Sequence, residues 1–262
     1  AKTVAFRTTV TGDCAWRSKL AWFGYGKARS FNFEGADAKV VFVGGEIDRL
    51  GSEADGMYFR GSNNSILVCN SVIKGTRSYY TANDCNIDID GSGHVVRIFN
   101  NYLDKYYNSQ NYGEHVNIFA GDNVTNLVVA NNICKNTVDY MVRAPFGATV
   151  MNNHAINEAH SGVGGGVSSL NTTIGDPIFV DDNPRTLAPS SPLINTGTLD
   201  PRYNDRDGTR NDIGPSGGSW YDPEGWTTEK PVVISFDLLP DSVLEGVDTE
   251  VTIEGVRAVS KP

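Results

Sequence analysis

The chain has 262 residues, a formal net charge of -9 and a hydrophobic fraction of 39 %. That is enough apolar material for a substantial core, yet no apolar run is long enough to cross a bilayer as a helix. The acidic balance argues against a nucleic-acid partner, because phosphate binding needs a concentrated basic surface.

The most basic stretch is residues 16–29, with Arg17, Lys19, Lys27 and Arg29; residues 1–27, which include most of it, also hold the aromatics Trp16, Trp22 and Phe23. They read as an N-terminal cap or as the remnant of earlier repeats, with their charges in water. From residue 28 the chain repeats. The segments "SFNFEGADAKVVFVGGEI" (30–47), "GMYFRGSNNSILVCNSVI" (56–73), "NIDIDGSGHVVRIFNNYL" (86–103) and "HVNIFAGDNVTNLVVANNIC" (115–134) share one plan, and "DYMVRAPFGATVMNNHAI" (139–156) is a degenerate fifth copy. Each has an alternating strand, a glycine-bearing turn, a second strand, an Asn or Gly corner and a further apolar residue. The period of about 26 to 31 residues lies in the range of solenoids.

Stacking the copies at the inter-strand distance of roughly 4.8 Å gives columns of constant character. The first strand contributes the inward pairs Phe31/Phe33, Met57/Phe59, Ile87/Ile89, Val116/Ile118 and Tyr140/Val142. The second contributes Val41/Val43 or their neighbours, Ile66/Val68, Val96/Ile98, Leu127/Val129 and Thr149/Met151. Gly44, Asn70, Asn100, Asn131 and Asn152 fall in the corner column, where stacked amides can hydrogen-bond along the coil axis. The expected fold is therefore all-β, a right-handed parallel β-helix of about five to seven coils with a C-terminal β extension.

These repeats resemble the parallel β-helix of pectate-lyase-like proteins, in which an asparagine ladder at this turn is a familiar feature. A second resemblance lies in "GDPIFVDDNPRTLAPSSPLINTGT" (175–198) and "DRDGTRNDIGPSGG" (205–218), which look like the closing segment of many secreted bacterial β-helix proteins. The two resemblances span residues 28–218. They imply an extracellular or cell-surface location, but the fold alone hosts lyases, hydrolases, tailspikes and adhesins. Residues 219–262 read as a linker and strands like the opening of an immunoglobulin-like module, of which only a fraction is present.

Alternation turns the other side chains of the first strand outward. They are Ser30, Asn32 and Glu34; Gly56, Tyr58 and Arg60; Asn86, Asp88 and Asp90; His115, Asn117 and Phe119; and Asp139, Met141 and Arg143. In the family that the repeats resemble, this sheet lines the substrate groove. Asp88 and Asp90 lie two apart on one strand, about 6.5 to 7 Å between Cα atoms, which suits an acid and base pair in an inverting hydrolase. The same pair suits Ca²⁺, the one cofactor these side chains point to, and a bound Ca²⁺ would neutralise a uronate. Arg60 and Arg143 are candidates to bind an acidic sugar, and His115 to move a proton near neutral pH. Tyr79, Tyr80, Tyr106, Tyr107 and Tyr112 sit in the loops that lead into this sheet and, with Tyr58, Glu34 and Asn117, are candidate sugar contacts. The competing reading makes Glu34, Arg60 and Asp90 a solvated ladder of alternating charge.

The expected function is binding, and cleavage if the site is catalytic, of a polysaccharide by a lyase or hydrolase route. The alternative is a noncatalytic adhesin, tailspike-like or structural solenoid. The segment 204–212, "NDRDGTRND", has calcium-loop features but lacks a glutamate at the twelfth position from Asp205, where Ser216 stands; it reads as a turn held by Asp and Arg. His94, His154 and His160 lack ligand-like spacing and read as structural or solvent-facing. The pairing of Cys14, Cys69, Cys85 and Cys134 is open.

Overall fold

The computed structural model describes residues 2–6, 9–48, 56–75, 83–105, 114–136, 140–156, 162–167, 169–225, 232–239 and 250–256. One unit spans Ala1–Pro223 and a second spans Glu224–Pro262. In the second unit, Val232–Leu239 and Glu250–Val256 pair antiparallel, with a register shift between Val233 and Ser235.

The first unit is a parallel β-helix. Sheet pairing orders Lys2–Phe6, Leu20–Gly24, Lys39–Val43, Ser65–Cys69, Val95–Phe99, Asn126–Ala130, Thr149–Met151 and Ser169–Leu170 side by side, each parallel to the next. We call this the second face, since each coil reaches it after a first one. The first face stacks Thr9–Trp16, the C-terminal half of Lys27–Phe33, then Met57–Phe59, Asn83–Ile89, Glu114–Ala120, Tyr140–Arg143 and Val163–Gly164. The third face stacks Glu46–Asp48, Val72–Lys74, Tyr102–Asp104, Ile133–Lys135, His154–Ala155 and Thr173–Ile174. The strand Lys27–Phe33 bends from the third face into the first, with Ala28 paired to Ile47 and Phe31 paired to Met57.

Strict register explains why this sequence coils. Because side chains alternate, one residue of slip would turn an entire apolar column into water. Val40, Ile66, Val96 and Leu127 are register partners in succession and all are buried. The second-face core of the early coil is therefore Val40 and Phe42, the neighbours of the expected Val41 and Val43. In the fifth repeat it is Val150, while Thr149 is exposed and Met151 half-buried. That strand has only three residues, too few for the alternation to be read from sequence.

The core changes along the axis. Early coils are filled by aromatic rings: Phe23 and Phe42, register partners, lie stacked at 4.8 Å, and Phe31 meets Phe42 at 5.3 Å and Phe59 at 5.9 Å. Later coils are filled by Ile87, Ile89, Val96, Ile98, Ile118, Leu127, Val129 and Val150, ending in Ala144 and Ala155. Strands shorten in step, to two residues each at Val163–Gly164, Ser169–Leu170 and Thr173–Ile174. The solenoid tapers.

The corner between the second and third faces carries two adjacent columns with different tasks. Asn70, Asn100, Asn131 and Asn152 adopt φ of 51° to 57°, with Tyr25 and Gly44 in the same left-handed region at 49° and 61°. Asparagine tolerates this conformation better than other residues with a Cβ. The amides that stack inside belong to the next residue. Asn101 Nδ2 donates to Asn132 Oδ1 at 2.9 Å and Asn132 Nδ2 donates to Asn153 Oδ1 at 3.0 Å. Their carboxamide oxygens also accept from backbone one coil earlier, Ser71 N to Asn101, Asn101 N to Asn132 and Asn132 N to Asn153. The ladder expected in the column of Asn70, Asn100, Asn131 and Asn152 thus stands one residue later, at Ser71, Asn101, Asn132 and Asn153.

The left-handed column is occupied from outside. Residues 193–221 run back along it as a strap. Asn152 Nδ2 donates to Gly197 O, Asn131 Oδ1 accepts from Thr198 N, and Asn100 and Asn211 exchange amide hydrogen bonds at 2.9 and 3.2 Å. Asn70 Nδ2 donates to Pro215 O and Gly217 O, and Tyr25 Oη reaches Trp220 O at 3.2 Å. Leu193 and Ile213 from the strap join Val72, Tyr102, Ile133 and Leu187 in a second apolar cluster.

Candidate functional site

On the first face the outward side chains form two columns. Sheet register places Asn32, Tyr58, Asp88, Phe119 and Arg143 one above another, followed by Gly164. Beside it run Glu34, Arg60 and Asp90: the backbone N–H of Arg60 donates to Phe33 O and that of Asp90 to Phe59 O, which fixes each one coil beyond the last. Arg17 extends this second column upward. Its Nε donates to Glu34 Oε2 at 3.1 Å, and its Nη2 makes a shorter contact with the same oxygen.

Two guanidinium groups lie on aromatic rings. The Arg60 carbon Cζ sits 4.2 Å from the Tyr58 ring centroid, and that of Arg143 sits 5.3 Å from the Phe119 centroid. Such contacts hold a flat cation against a π face. A hydrogen bond with Tyr58 and the charges of Asp90 and Glu34 push the Arg60 pKa further up, so it is a permanent cation. Burial raises the Tyr58 phenol, with Asp88 and Asp90 adding to the effect. Asp88 is 8 % exposed, whereas Asp90 is open to solvent and one of its carboxylate oxygens accepts from Gly91 N at 2.8 Å. This surface can bind an anion at two cations and a hydroxyl-rich ring at carboxylates and aromatic edges.

Structure and sequence reading part at several positions. Asn117 is fully buried: its Nδ2 donates to Asn86 Oδ1 at 2.7 Å and to Leu103 O at 3.3 Å. Asn86 in turn donates to Ile73 O and Asp104 O. The two form a second internal amide ladder where the third face turns into the first, so Asn117 does not face the groove. Ser30 and Met141, expected outward, are buried as well. Alternation fails there because the start of a first-face strand lies beneath the end of the third-face strand. Glu34 is exposed and engaged with Arg17. The backbone of His115 pairs with Asp84, but its side chain, like Tyr79, Tyr80, Tyr106, Tyr107 and Tyr112, lies outside the described residues.

The turn after the first face contains a group that spacing alone did not connect to any partner. Asn64 Oδ1 accepts from Ala38 N, and Asn64 N donates to His94 Nδ1 at 3.1 Å. An accepting Nδ1 assigns the proton of neutral His94 to Nε2, which faces Asp90 O at 3.3 Å. Burial holds the His94 pKa below its ordinary value, and does the same for His154, whose ring nitrogens meet Thr173 Oγ1 and Gly175 O, both at 2.9 Å. Both are structural histidines.

Among the described residues no group of three or more His, Cys, Asp and Glu side chains is placed to hold a metal ion. At residues 204–212 the acids serve the turn: Asp207 Oδ1 accepts from Thr209 N and Oγ1, and Asp205 accepts from Asp212 N and Gly218 N. Cys69, Cys85 and Cys134 are buried thiols outside any disulfide. A cavity of about 290 Å³ lies beside the third face, lined by Tyr102, Lys135, Asp176, Phe179 and Asp182 among others.

No family model, no curated protein and no solved structure matches this chain.

Proposed function

We propose that this protein is an extracellular carbohydrate-active β-helix of pectate-lyase-like type that engages a polysaccharide along its first face. The observation that carries this reading is the half-buried column of Tyr58, Asp88, Phe119 and Arg143, with the exposed Arg60 and Asp90 beside it. It combines aromatic surface, guanidinium and carboxylate on a rigid wall, the mixture that carbohydrate recognition requires. If the chain cleaves its ligand, Asp88 and Asp90 are the carboxylates that act, by lyase elimination or by hydrolysis, and Ca²⁺ bridged to a uronate is the cofactor they suit.

The ion pair of Arg17 with Glu34, continued by Arg60 and Asp90, favours a second reading, a noncatalytic adhesive or structural solenoid whose wall is a charge ladder. One experiment separates the two. Pectate, alginate, glycosaminoglycans and neutral glucans are offered with and without Ca²⁺, and products are followed at 235 nm and as reducing ends. Product formation that disappears in Asp88→Asn and Asp90→Asn protein supports an enzyme. Binding without product supports an adhesin, and neither binding nor product leaves the structural solenoid.

A further inference from the structure

Before it reaches the corners, the chain between Asp176 and Pro184 passes over the third face without filling the space beneath it. The cavity of about 290 Å³ left there takes Tyr102, Lys135 and Ile156 from the solenoid. These belong to three successive coils, since Tyr102 pairs with Ile133, Asp104 pairs with Lys135, and the backbone N–H of Ile156 donates to Cys134 O. The passing segment supplies the rest of the lining, Asp176, Phe179 and Asp182 with Pro177 and Pro184.

That segment is held in place before anything binds. Its two prolines have a fixed φ, and the Phe179 ring meets Tyr102 edge to face at 5.6 Å. Ile178, Asp181 and Asp182 adopt left-handed φ of 51°, 50° and 56°. A β-branched residue stays in that region only where its surroundings hold it there. Asp176 Oδ1 accepts from Ile178 N at 3.0 Å, Ala188 N donates to Ile178 O at 2.9 Å, and Val180 N donates to Thr186 O at 3.0 Å. Such a wall loses little freedom when a ligand arrives.

The charges around the cavity do not cancel. Lys135 Nζ lies 3.6 Å from Asp104 Oδ2, which also accepts from Tyr102 Oη at 3.2 Å, so the ammonium is already matched. Asp176 and Asp182 are exposed, and among the described residues neither carboxylate is in an ion pair. The cavity thus joins aromatic and apolar surface to two unmatched negative charges, which attract a cation and repel an anion. Its volume lies at the lower end for small-molecule sites, room for one ring and not for an extended chain. We propose that this cavity is a second binding site, for a small organic cation: an amine or guanidinium carried on one apolar ring. It lies on the third face and does not rest on the reading of the first face as a polysaccharide site.

The test uses phenethylamine as probe. Beside it, phenethyl alcohol lacks the charge, butylamine lacks the ring and ends like a lysine side chain, and 3-phenylpropionate reverses the charge. Dissociation constants are measured by NMR titration on the full chain and on Asp176→Asn, Asp182→Asn, Asp181→Asn and Lys135→Gln proteins, whose folding is checked by their thermal transitions. Asparagine at 176 still offers an oxygen to Ile178 N, and Asp181 does not line the cavity and serves as the control. Expected is saturable binding of phenethylamine, about tenfold tighter than that of phenethyl alcohol or butylamine, and none of 3-phenylpropionate. Asp176→Asn and Asp182→Asn should each weaken it about three- to fivefold, the scale of an exposed ion pair, while Asp181→Asn leaves it within about twofold. Lys135→Gln should tighten it, since a repelling charge is gone and Asp104 is left unmatched. Equal or tighter binding of phenethyl alcohol or 3-phenylpropionate, or weaker binding in Lys135→Gln, overturns the cation. Butylamine binding as tightly as phenethylamine overturns the ring and makes a lysine side chain of a protein the occupant. A loss in Asp181→Asn as large as in Asp182→Asn overturns the location, and no saturable binding of any probe overturns the site.

Discussion

At the scale of single residues, the doubled asparagines separate two jobs that composition cannot distinguish. Asn132 satisfies buried groups on its own coil and on both neighbours, donating to Ala130 O, Ile98 O and Asn153 Oδ1 while accepting from Asn101. Asn132→Ala is expected to destabilise the protein by about 3 kcal/mol or more, because several buried polar partners lose their match at once. Asn131 instead needs a left-handed backbone, which glycine supplies, and gives one acceptor to Thr198 N, so Asn131→Gly should cost less, about 1 to 2 kcal/mol. Urea denaturation of the two variants checks the contrast. His94 and His154 make stability depend on pH. Their folded pKa values are lowered by burial, so their contribution is fully present above the unfolded value of about 6.5 and is lost as pH falls through the folded one. Asp205 acts in the opposite direction: burial raises it from 3.8 to about 6, so the folded state takes up a proton first and gains stability between those values. His94→Asn keeps an acceptor for Asn64 N and should flatten the loss on the acid side of 6.5, as followed by denaturation midpoints across pH. Burial pushes the thiols of Cys69 and Cys134 up, so neither should react with an alkylating reagent in native protein, and mass spectrometry should find both modified only on unfolding.

Among the elements, the strap has the least tolerance for change. A Cβ on Gly217 would lie 2.0 Å from Asp212 O, and Gly217 O is the acceptor for Asn70. Gly217→Ala is expected to release the segment, and limited proteolysis should then cut within residues 193–218 at a rate at least tenfold above the unaltered chain. The coil period and most inward positions of the first and second strands were legible in sequence because parallel register repeats each apolar position in every coil. The identity of the ladder column was not. Asn100 with Asn101, Asn131 with Asn132 and Asn152 with Asn153 present the same letters, and only the left-handed turn decides which amide points inward. Asn117 was misread for a related reason, since strand alternation says nothing of a neighbouring strand that covers the first residues of a face. On the candidate site, the outward direction of Tyr58, Asp88 and Arg143 followed from alternation. Alignment of the repeats, however, set Phe119 and Arg143 in line with Asp90, whereas register sets them in line with Asp88. The stacking of each arginine on a ring depends on side-chain conformations that spacing leaves free. The strap was visible as a closing segment and not as a partner of the corner asparagines, because contacts such as Asn100 with Asn211 span 111 residues.

For the molecule as a whole, a tapering solenoid implies a gradient of local stability. Each coil gains mainly from its neighbours, so the thin last coil, 163–174, has one partner and little core to bury. Leu170 and Ile174 remain exposed there at 59 % and 45 %. Amide hydrogen exchange should be fastest in that coil and slowest in the central strands Ser65–Cys69, Val95–Phe99 and Asn126–Ala130, by several orders of magnitude; a uniform rate along the axis would contradict the gradient.

The strap also sets a limit on how this chain can change. A repeat architecture can ordinarily lengthen by copying one unit, since each repeat touches only its neighbours. Here one continuous segment grips the corners at Asn152, Asn131, Asn100, Asn70 and Tyr25 in turn. A duplicated coil between Asn100 and Asn131 would separate those grips by another ~4.8 Å, and a deleted coil would leave slack of the same size. Duplication or loss is therefore penalised unless the closing segment changes length with it. The segment works as a ruler that holds the number of coils fixed.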